Sequence, residues 1–281
     1  MIVNGPPNQA QTTIWNETGG RTWADLHTML DEVFRPLETL LVDAALAAGG
    51  ARVLDVGCGA GGTTLAVARG LGRKCRCTGI DISAPLIATA TSRAAAEGAT
   101  GVTFIRGDAQ TFDFGAGSFD TIISRLGVMF FDDPEAAFAN LRRATRSGAR
   151  LAFVSWRSRD ENPFMTAAER AAASVVMELP LRSDGSPGQF AFASMDRVKG
   201  ILEAAGWNAI EIRPVDFACS LPAAMLAVYV TRMGPYGLVR DTLDETARAR
   251  ADAAVLAAFD PYVDGNQARF TCACWLATAL A

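Results

Sequence analysis

Two patterns of apolar residues alternate between residues 26 and 156. Short runs rich in apolar residues, such as Arg52–Val56, are typical of buried strands, whereas apolar residues repeated at three- and four-residue spacing are typical of helices. The runs predict strands at 52–56, 75–80, 102–106, 119–124 and 150–156, and the repeats predict helices at 62–70, 85–97 and 134–146. Short strands joined by helices of this length indicate a parallel sheet covered on both faces.

The flanks of this region are mainly helical. Between residues 26 and 48 the apolar positions follow helical spacing, and Pro36 is expected to kink this helix or to begin a second one. After Trp156 the pattern predicts helical stretches at 164–178 and 222–258, a helix at 194–205, and strands at 209–217 and 268–279. The sequence therefore predicts an N-terminal helical segment and two helical insertions added to the sheet.

Composition narrows the classes of function. The chain has 281 residues, 50% hydrophobic and 20% charged, with a net charge of −4, which excludes a disordered chain, a collagen and a disulfide scaffold. The isoelectric point near 5.2 argues against a general nucleic-acid binder. No apolar run reaches the ~18 residues of a membrane span, and the N-terminal residues lack a secretory signal pattern, so the expected location is cytoplasmic.

The cysteines and the single histidine do not suggest a metal site. Cys75/Cys77 and Cys272/Cys274 have C-x-C spacing rather than the C-x₂-C spacing of zinc sites, and both pairs lie in apolar runs. We expect core thiols and no bound metal, and one histidine excludes a multi-histidine site.

A glycine-rich turn, DVGCGAGGT from Asp55 to Thr63, follows the first strand and opens a helix. Gly57, Gly59 and Gly62 satisfy G-x-G-x-x-G, so a dinucleotide site is one alternative. Asp55 would repel a pyrophosphate at the helix N-terminus. It would attract an ammonium group, which S-adenosylmethionine carries on its methionine portion.

Two further acids end the second and third strands, where doubly wound sheets bind their ligands. Asp81 can accept hydrogen bonds from ribose hydroxyls, a role common to NAD and S-adenosylmethionine sites. Asp108 can accept from an adenine amino group, and the Ala109 amide can donate to a ring nitrogen. Each acid alone has a structural alternative, such as tying a turn or capping a segment, but three at consecutive strand ends favour a nucleoside site.

These segments resemble a known family. VLDVGCGAGGTT, GIDIS, RGDAQTF, FDTIISRLGVMFFDDP and LAFVSW are similar to the ordered motifs of class I S-adenosylmethionine-dependent methyltransferases, in particular the small-molecule branch similar to ubiquinone/menaquinone C-methyltransferases. The resemblance covers residues 51–156 and extends weakly to 15–23 and to the final strand. It implies an α/β fold with a doubly wound, Rossmann-like, seven-stranded sheet whose last strand is antiparallel.

The resemblance also implies S-adenosylmethionine as cofactor and assigns roles to the residues of the motifs. Asp55, Gly57 and Gly59 would hold the methionine portion, and Thr63 is an additional contact. Ser124 would lie beside the methyl-bearing sulfonium. The nucleoside contacts implied are Asp81 and Ile82 for the ribose, and Asp108 and Ala109 for the adenine.

The expected organisation follows the chain. Residues 1–50 form an N-terminal helical segment that closes over the cofactor, and residues 51–156 form the cofactor-binding core. The remaining segments are a lid insertion at 157–193, a core helix and strand at 194–217, a helical lid insertion at 218–267 and a final core strand at 268–281.

Methyl transfer depends mainly on alignment in a site without water, so strong catalytic residues are not required. His27 is a candidate general base for a hydroxyl acceptor, or else a histidine without a catalytic role. Arg125 either binds an anionic acceptor or pairs with Asp132 or Asp133. Aromatic residues that form either a substrate pocket or ordinary core are Trp15, Trp23, Phe130, Phe131 and Trp156.

The sequence thus predicts a methyltransferase acting on a small, apolar or aromatic metabolite, with oxygen acceptors slightly favoured. One alternative is a non-catalytic S-adenosylmethionine-binding module, and a second is an NAD-dependent oxidoreductase. We expect no nucleic-acid or membrane partner. The acceptor, the atom methylated and the oligomeric state stay open, with a homodimer as one option.

Overall fold

The computed structural model describes residues 6–72, 74–177, 179 and 187–281. Residues 1–5 of the predicted N-terminal segment lie outside the described residues, as do 178 and 180–186 of the first predicted insertion. The strands are β1 Arg52–Val56, β2 Arg76–Asp81, β3 Val102–Arg106, β4 Phe119–Arg125, β5 Thr145–Trp156, β6 Asn208–Pro222, β7 Val263–Asp264 and β8 Gln267–Leu280.

The described strands form one sheet in the order β3-β2-β1-β4-β5-β8-β6, and the two-residue β7 pairs with β8. Neighbouring strands from β3 through β5 are parallel, whereas β8 runs antiparallel to both β5 and β6. The predicted seven-stranded sheet with an antiparallel last strand is therefore confirmed. β1 and β3 have the predicted bounds, while β5 begins earlier than predicted because Thr145 pairs with Phe119 across a register shift.

Helices cover both faces of the sheet and its carboxyl end. They are α1 Gln9–Asn16, α2 Thr18–Asp25, α3 His27–Val33, α4 Arg35–Ala48, α5 Gly62–Leu71, α6 Ala84–Ala96, α7 Pro134–Ala144, α8 Pro163–Ala172, α9 Met195–Ala204, α10 Ala223–Arg232, α11 Gly234–Val239 and α12 Glu245–Ala257. No helix within these described ranges is long and apolar enough to cross a bilayer.

Proline sets two of the helix boundaries. Pro36 lies in the first turn of α4. Backbone N–H groups of a first turn make no hydrogen bond within the helix, so proline is tolerated there, and a second helix begins at this point after α3. The single helix predicted at 222–258 is divided instead. α10 ends where Met233 is extended, and Pro235 then lies in the first turn of α11. α1 and α2 lie in the segment 1–50 that was expected to be helical, but their separate bounds were not predicted, because both helices are short and rich in polar residues and glycine.

Candidate functional site

One cavity lies beyond the carboxyl ends of β1–β4, where the doubly wound topology places ligands. Its sheet-side wall consists of strand ends and the loops after them, joined by the start of α6 and by Asn8. These residues are Asn8, Val56, Gly57, Gly59, Ile80, Asp81, Ile82, Leu86, Gly107, Asp108 and Ala109. The opposite part is lined mainly by aromatic and methionine side chains, described below.

The glycine turn after β1 is held tightly against β2 and the loop after β4. Gly57 and Cys58 donate their backbone N–H groups to the Ile80 carbonyl, at 2.9 and 3.1 Å. Gly57 has φ +66°, and a Cβ on it would lie 2.7 Å from the Cα of Gly127. A side chain there would force the two loops apart, so the close approach requires glycine.

Asp81, at the end of β2, faces the cavity with both carboxylate oxygens fixed. One oxygen accepts from the Gly59 N–H and the other from the Ser83 N–H, both at 2.9 Å. Burial raises the pKa of this carboxyl, although these backbone N–H groups act in the opposite direction. Since each oxygen has a second lone pair, Asp81 can still accept from two hydroxyls. Ile82 lines the cavity beside it.

Asp108, after β3, is held by a residue that the sequence analysis did not identify. Asn8 donates its side-chain N–H groups to the two oxygens of Asp108, at 3.0 and 2.9 Å, and to Gln110 at 3.1 Å. Asn8 has φ 55°, and its backbone N–H donates to Asp132. Ala109 lines the cavity next to Asp108. The N-terminal segment thus places an amide –NH₂ where an adenine amino group was predicted.

Three of the predicted cofactor residues are not among the described residues that line the cavity, and they lie behind its wall. Asp55 is buried and accepts from the Thr64 hydroxyl at 2.6 Å. Burial raises its pKa to about 7, against the opposing effects of the Thr64 hydrogen bond and of Arg125. Ser124 is buried, donates to the Val56 carbonyl at 2.7 Å and accepts from Gly127. The buried Thr63 hydroxyl has no hydrogen-bond partner in the part of the chain described.

Arg125 lines the cavity but does not pair with either acid that the sequence suggested. Its Nη2 donates to Asp31 of α3 at 2.9 Å. Asp132 instead accepts from Asn8, and Asp133 caps α7 by accepting from Ala136 at 2.9 Å. The predicted pairing was therefore wrong, because both of those carboxylates are used by neighbouring backbone N–H groups.

His27 begins α3 and, among the described residues, is not part of the cavity wall. Its Nδ1 lies 2.8 Å from the Ala24 carbonyl oxygen, and its Nε2 lies 3.3 Å from the Thr28 hydroxyl. Nδ1 therefore carries the proton in a local hydrogen bond within the N-terminal segment. This geometry favours the alternative in which His27 has no catalytic role.

We therefore expect His27→Ala to keep its methyl-transfer rate and acceptor KM within about twofold of the parent, because the half-buried imidazole contacts only Ala24 and Thr28 of its own segment and does not line the described cavity. The measurement is steady-state kinetics across neutral pH. A loss of two orders of magnitude in kcat, with an altered pH profile, would instead assign His27 as a general base.

An unbroken series of ring contacts forms the other part of the cavity. Trp15 meets Phe130 and Trp23 edge to face, with centroids 5.3 and 5.9 Å apart, and Trp23 stacks on Phe34 at 6.5 Å. Phe34 then contacts Trp156 at 5.9 Å. The remaining aromatic and methionine side chains on this wall are Met129, Phe131, Phe164, Met165, Tyr229, Met233, Tyr236 and Phe259.

Tyr236 presents its ring to this cavity while its hydroxyl is held on the far side. The hydroxyl donates to Asp252 at 2.6 Å, and Arg240 donates twice to the same carboxylate, at 2.9 and 2.7 Å. Burial, together with the Asp252 carboxylate, raises the pKa of Tyr236. Tyr236 is thus neutral at physiological pH and acts as a rigid apolar surface.

The cysteines Cys58, Cys75, Cys77, Cys219, Cys272 and Cys274 are all buried and free. No group of three or more His, Cys, Asp or Glu side chains suited to a metal ion occurs among the residues that the structure describes.

Comparison with known proteins agrees with this architecture. Residues 53–148 match a methyltransferase domain family. The aklanonic acid methyltransferase DauC of Streptomyces sp. (strain C5) is 35% identical over 124 residues, 44% of this chain and 56% of DauC. The nocamycin O-methyltransferase of Saccharothrix syringae is 29% identical over 203 residues, 69% of this chain and 72% of that protein.

A solved structure of YcgJ from Bacillus subtilis has the same fold, with a TM-score of 0.59 and 19% identity, over 88% of this chain and 98% of that one. The chain spans about half the length, 56%, of the first curated relatives that it matches.

The fold and the site define an α/β protein with a cavity at the carboxyl ends of its parallel strands. The family match then gives the class of one part of the chain. Residues 53–148 match a methyltransferase domain, and this region is similar to the class I S-adenosylmethionine-dependent methyltransferases, a family whose cofactor is S-adenosylmethionine.

Proposed function

We propose that the protein transfers a methyl group from S-adenosylmethionine to a small, apolar or aromatic acceptor. The observation that carries the proposal is the continuity of one cavity, which joins the glycine turn and the strand-end carboxylates to the ring-lined part. Apolar cavities with a few fixed polar groups are typical small-molecule sites.

The residues of the sheet-side wall suit this cofactor. Asp81 has free lone pairs for two ribose hydroxyls, with Ile82 beside it. Asp108 with Ala109 would offer an acceptor and a donor to adenine in place of the Asn8 amide, which donates to Asp108 in this structure. Gly57 and Gly59 allow the methionine portion to approach the backbone. In this proposal Asp55, Thr63 and Ser124 support the turn and the end of β4 from behind the wall.

When bound, S-adenosylmethionine supplies a methyl group on a sulfonium. The acceptor's lone pair forms the new bond to that carbon, and the electron pair of the broken S–C bond stays on sulfur, giving S-adenosylhomocysteine. The protein's contribution is alignment and exclusion of water, which contribute several kcal/mol in such displacements. An acceptor hydroxyl also loses its proton, to solvent or to a group of the acceptor itself.

The class of acceptor follows from the ring-lined part of the cavity. Trp23, Phe130 and Trp156 present aromatic surfaces, and Met165 and Met233 are adaptable side chains that suit irregular apolar ligands. The net charge of −4 disfavours a nucleic-acid acceptor. Relatives named for aklanonic acid and nocamycin support a small-molecule acceptor. In this proposal the N-terminal helices and the inserted helices form the lid.

The first experiment is calorimetric titration of the full chain with S-adenosylmethionine, S-adenosylhomocysteine and NADH. Micromolar binding of the first two without NADH binding is expected. Incubation with labelled S-adenosylmethionine and a panel of polycyclic aromatic phenols and acids should then give a product heavier by one methylene unit. Binding of NADH alone would contradict the proposal. Cofactor binding with no product from any acceptor would favour a non-catalytic binding module.

A further inference from the structure

A buried guanidinium nitrogen lies beside the glycine turn without a hydrogen-bond partner. Arg125 ends β4 and lines the cavity, and 14% of its side chain is exposed. Nη2 is paired with Asp31, but no acceptor lies within reach of the buried Nη1 in the described part of the chain. A buried donor without an acceptor is unfavourable, so this atom indicates a missing acceptor.

Arg125 is held in place by a network that also holds the turn. Asp31 accepts from Arg125 with one oxygen and from Arg93 of α6 with the other, at 2.9 and 2.8 Å. Arg93 also donates to the Ala60 carbonyl, within the turn, at 2.8 Å. The Asp31 carboxylate packs against Gly62, where a Cβ would lie 2.5 Å from its oxygen. Arg125 is therefore fixed next to the turn and cannot move freely into the ring-lined part.

The missing acceptor is best supplied by the ligand. Guanidinium groups bind carboxylates with short, charge-assisted hydrogen bonds. S-adenosylmethionine carries a single anionic group, the carboxylate of its methionine portion, and the glycine turn is where that portion is proposed to lie. Of the neighbouring acids, Asp31 is shared between two arginines and Asp55 accepts from Thr64. Glu38 is near enough to interact with the charge of Arg125, but it accepts no hydrogen bond from it in the described part of the chain.

We propose that Arg125 binds the carboxylate of the methionine portion of S-adenosylmethionine, with Asp31 as the positioning residue that holds it there. This inference rests on the proposed function. It differs from the anionic-acceptor role suggested by the sequence alone, because it places the anion at the glycine turn rather than among the aromatic rings.

The test compares S-adenosylmethionine with its decarboxylated analogue, which keeps the ammonium and the sulfonium. Arg125→Gln is expected to raise the Kd of S-adenosylmethionine about 30-fold or more. The Kd of the decarboxylated analogue is expected to stay within about twofold of its value for the parent protein, because this analogue has no carboxylate for Arg125 to bind. Retained binding of the analogue also shows that the variant is folded.

Arg69→Gln is the matched control, because it removes an arginine of similar length from an exposed pair with Glu97 at 2.7 Å, and both affinities should be unchanged. Asp31→Asn should weaken S-adenosylmethionine more than the analogue. Equal weakening of both ligands by Arg125→Gln would overturn the proposal in favour of a structural role. An unchanged Kd with a raised acceptor KM would overturn it in favour of an anionic acceptor. If the parent protein binds neither ligand, the proposed function itself fails.

Discussion

Asp81→Asn is expected to weaken S-adenosylmethionine binding by roughly 100-fold, because two hydrogen bonds to a charged carboxylate contribute about 3 kcal/mol together. The loss comes from both sides of the carboxyl group. Toward the cavity, an amide is a weaker acceptor for ribose hydroxyls. Toward the protein, the new –NH₂ must face either the Gly59 N–H or the Ser83 N–H, both of which donate to Asp81. One bond that shapes the glycine turn is therefore lost as well.

Calorimetric titration of the parent and the variant measures this effect. Asp113→Asn is a suitable control, because the exposed Asp113 also accepts from a backbone N–H two residues on, from Gly115 at 3.0 Å, and is not one of the described residues of the cavity wall. The control should bind as the parent does. An unchanged affinity in Asp81→Asn would exclude Asp81 from the nucleoside site.

The strand ends were predictable because each depends on a local motif. The apolar run of β1 is followed directly by glycines, and β2 is followed by Asp81. Parallel strands share one carboxyl edge, so the topology alone brings Asp81 and Asp108 to the same cavity. The side-chain partners were not predictable in this way. Asn8 reaches Asp108 across 100 residues, and Asp31 reaches Arg125 across 94, without any periodic signal in the sequence.

The limits of strand-end reasoning are clearest around the sulfonium position. Ser124 ends the predicted strand and was expected beside the sulfonium, but its hydroxyl donates to the carbonyl of Val56, at the end of β1, and accepts from the N–H of Gly127, in the loop after β4. Leu126, two residues later, lines the cavity with φ +65°. A non-glycine residue in this conformation is uncommon and cannot be read from composition. Which side chains of the inserted helices line the cavity depends on their tertiary packing, so the sequence indicated only that methionines and tyrosines were present there.

Asp55→Asn is expected to stabilise the protein, by an amount that depends on pH. Asp55 is buried, and burial raises its pKa to about 7 from a model-compound value of 3.8. The folded state thus binds the Asp55 proton more tightly than the unfolded state. Below about pH 4 the side chain is protonated in both states and carries no penalty. As pH rises from about 4 to about 7, the unfolded chain loses this proton more readily, so the free energy of unfolding of the parent falls.

The pKa of Asp55 in the folded state thus exceeds the model-compound value by about three units. At about 1.36 kcal/mol per unit, this shift corresponds to about 4 kcal/mol of stability. Asparagine is uncharged at every pH and keeps an oxygen that can accept from Thr64. The variant should therefore exceed the parent in stability by up to about 4 kcal/mol at pH 8, and by little at pH 4. Urea unfolding at several pH values measures the two curves.

Asp120→Asn provides the control of opposite sign. Although burial opposes it, hydrogen bonds from the Arg52 guanidinium and from the Arg52 and Ala51 backbone N–H groups lower the pKa of Asp120. The charged Asp120 therefore stabilises the folded state at pH values above the pKa that this carboxyl has in the unfolded chain, and this stabilisation is lost as the pH falls. Asp120→Asn should have a lower free energy of unfolding than the parent at neutral pH, and the two free energies should become equal at acidic pH. The prediction would be contradicted if the Asp55→Asn variant were less stable than the parent at pH 8. In that case Arg125 would stabilise the charged Asp55 carboxylate more strongly than burial destabilises it.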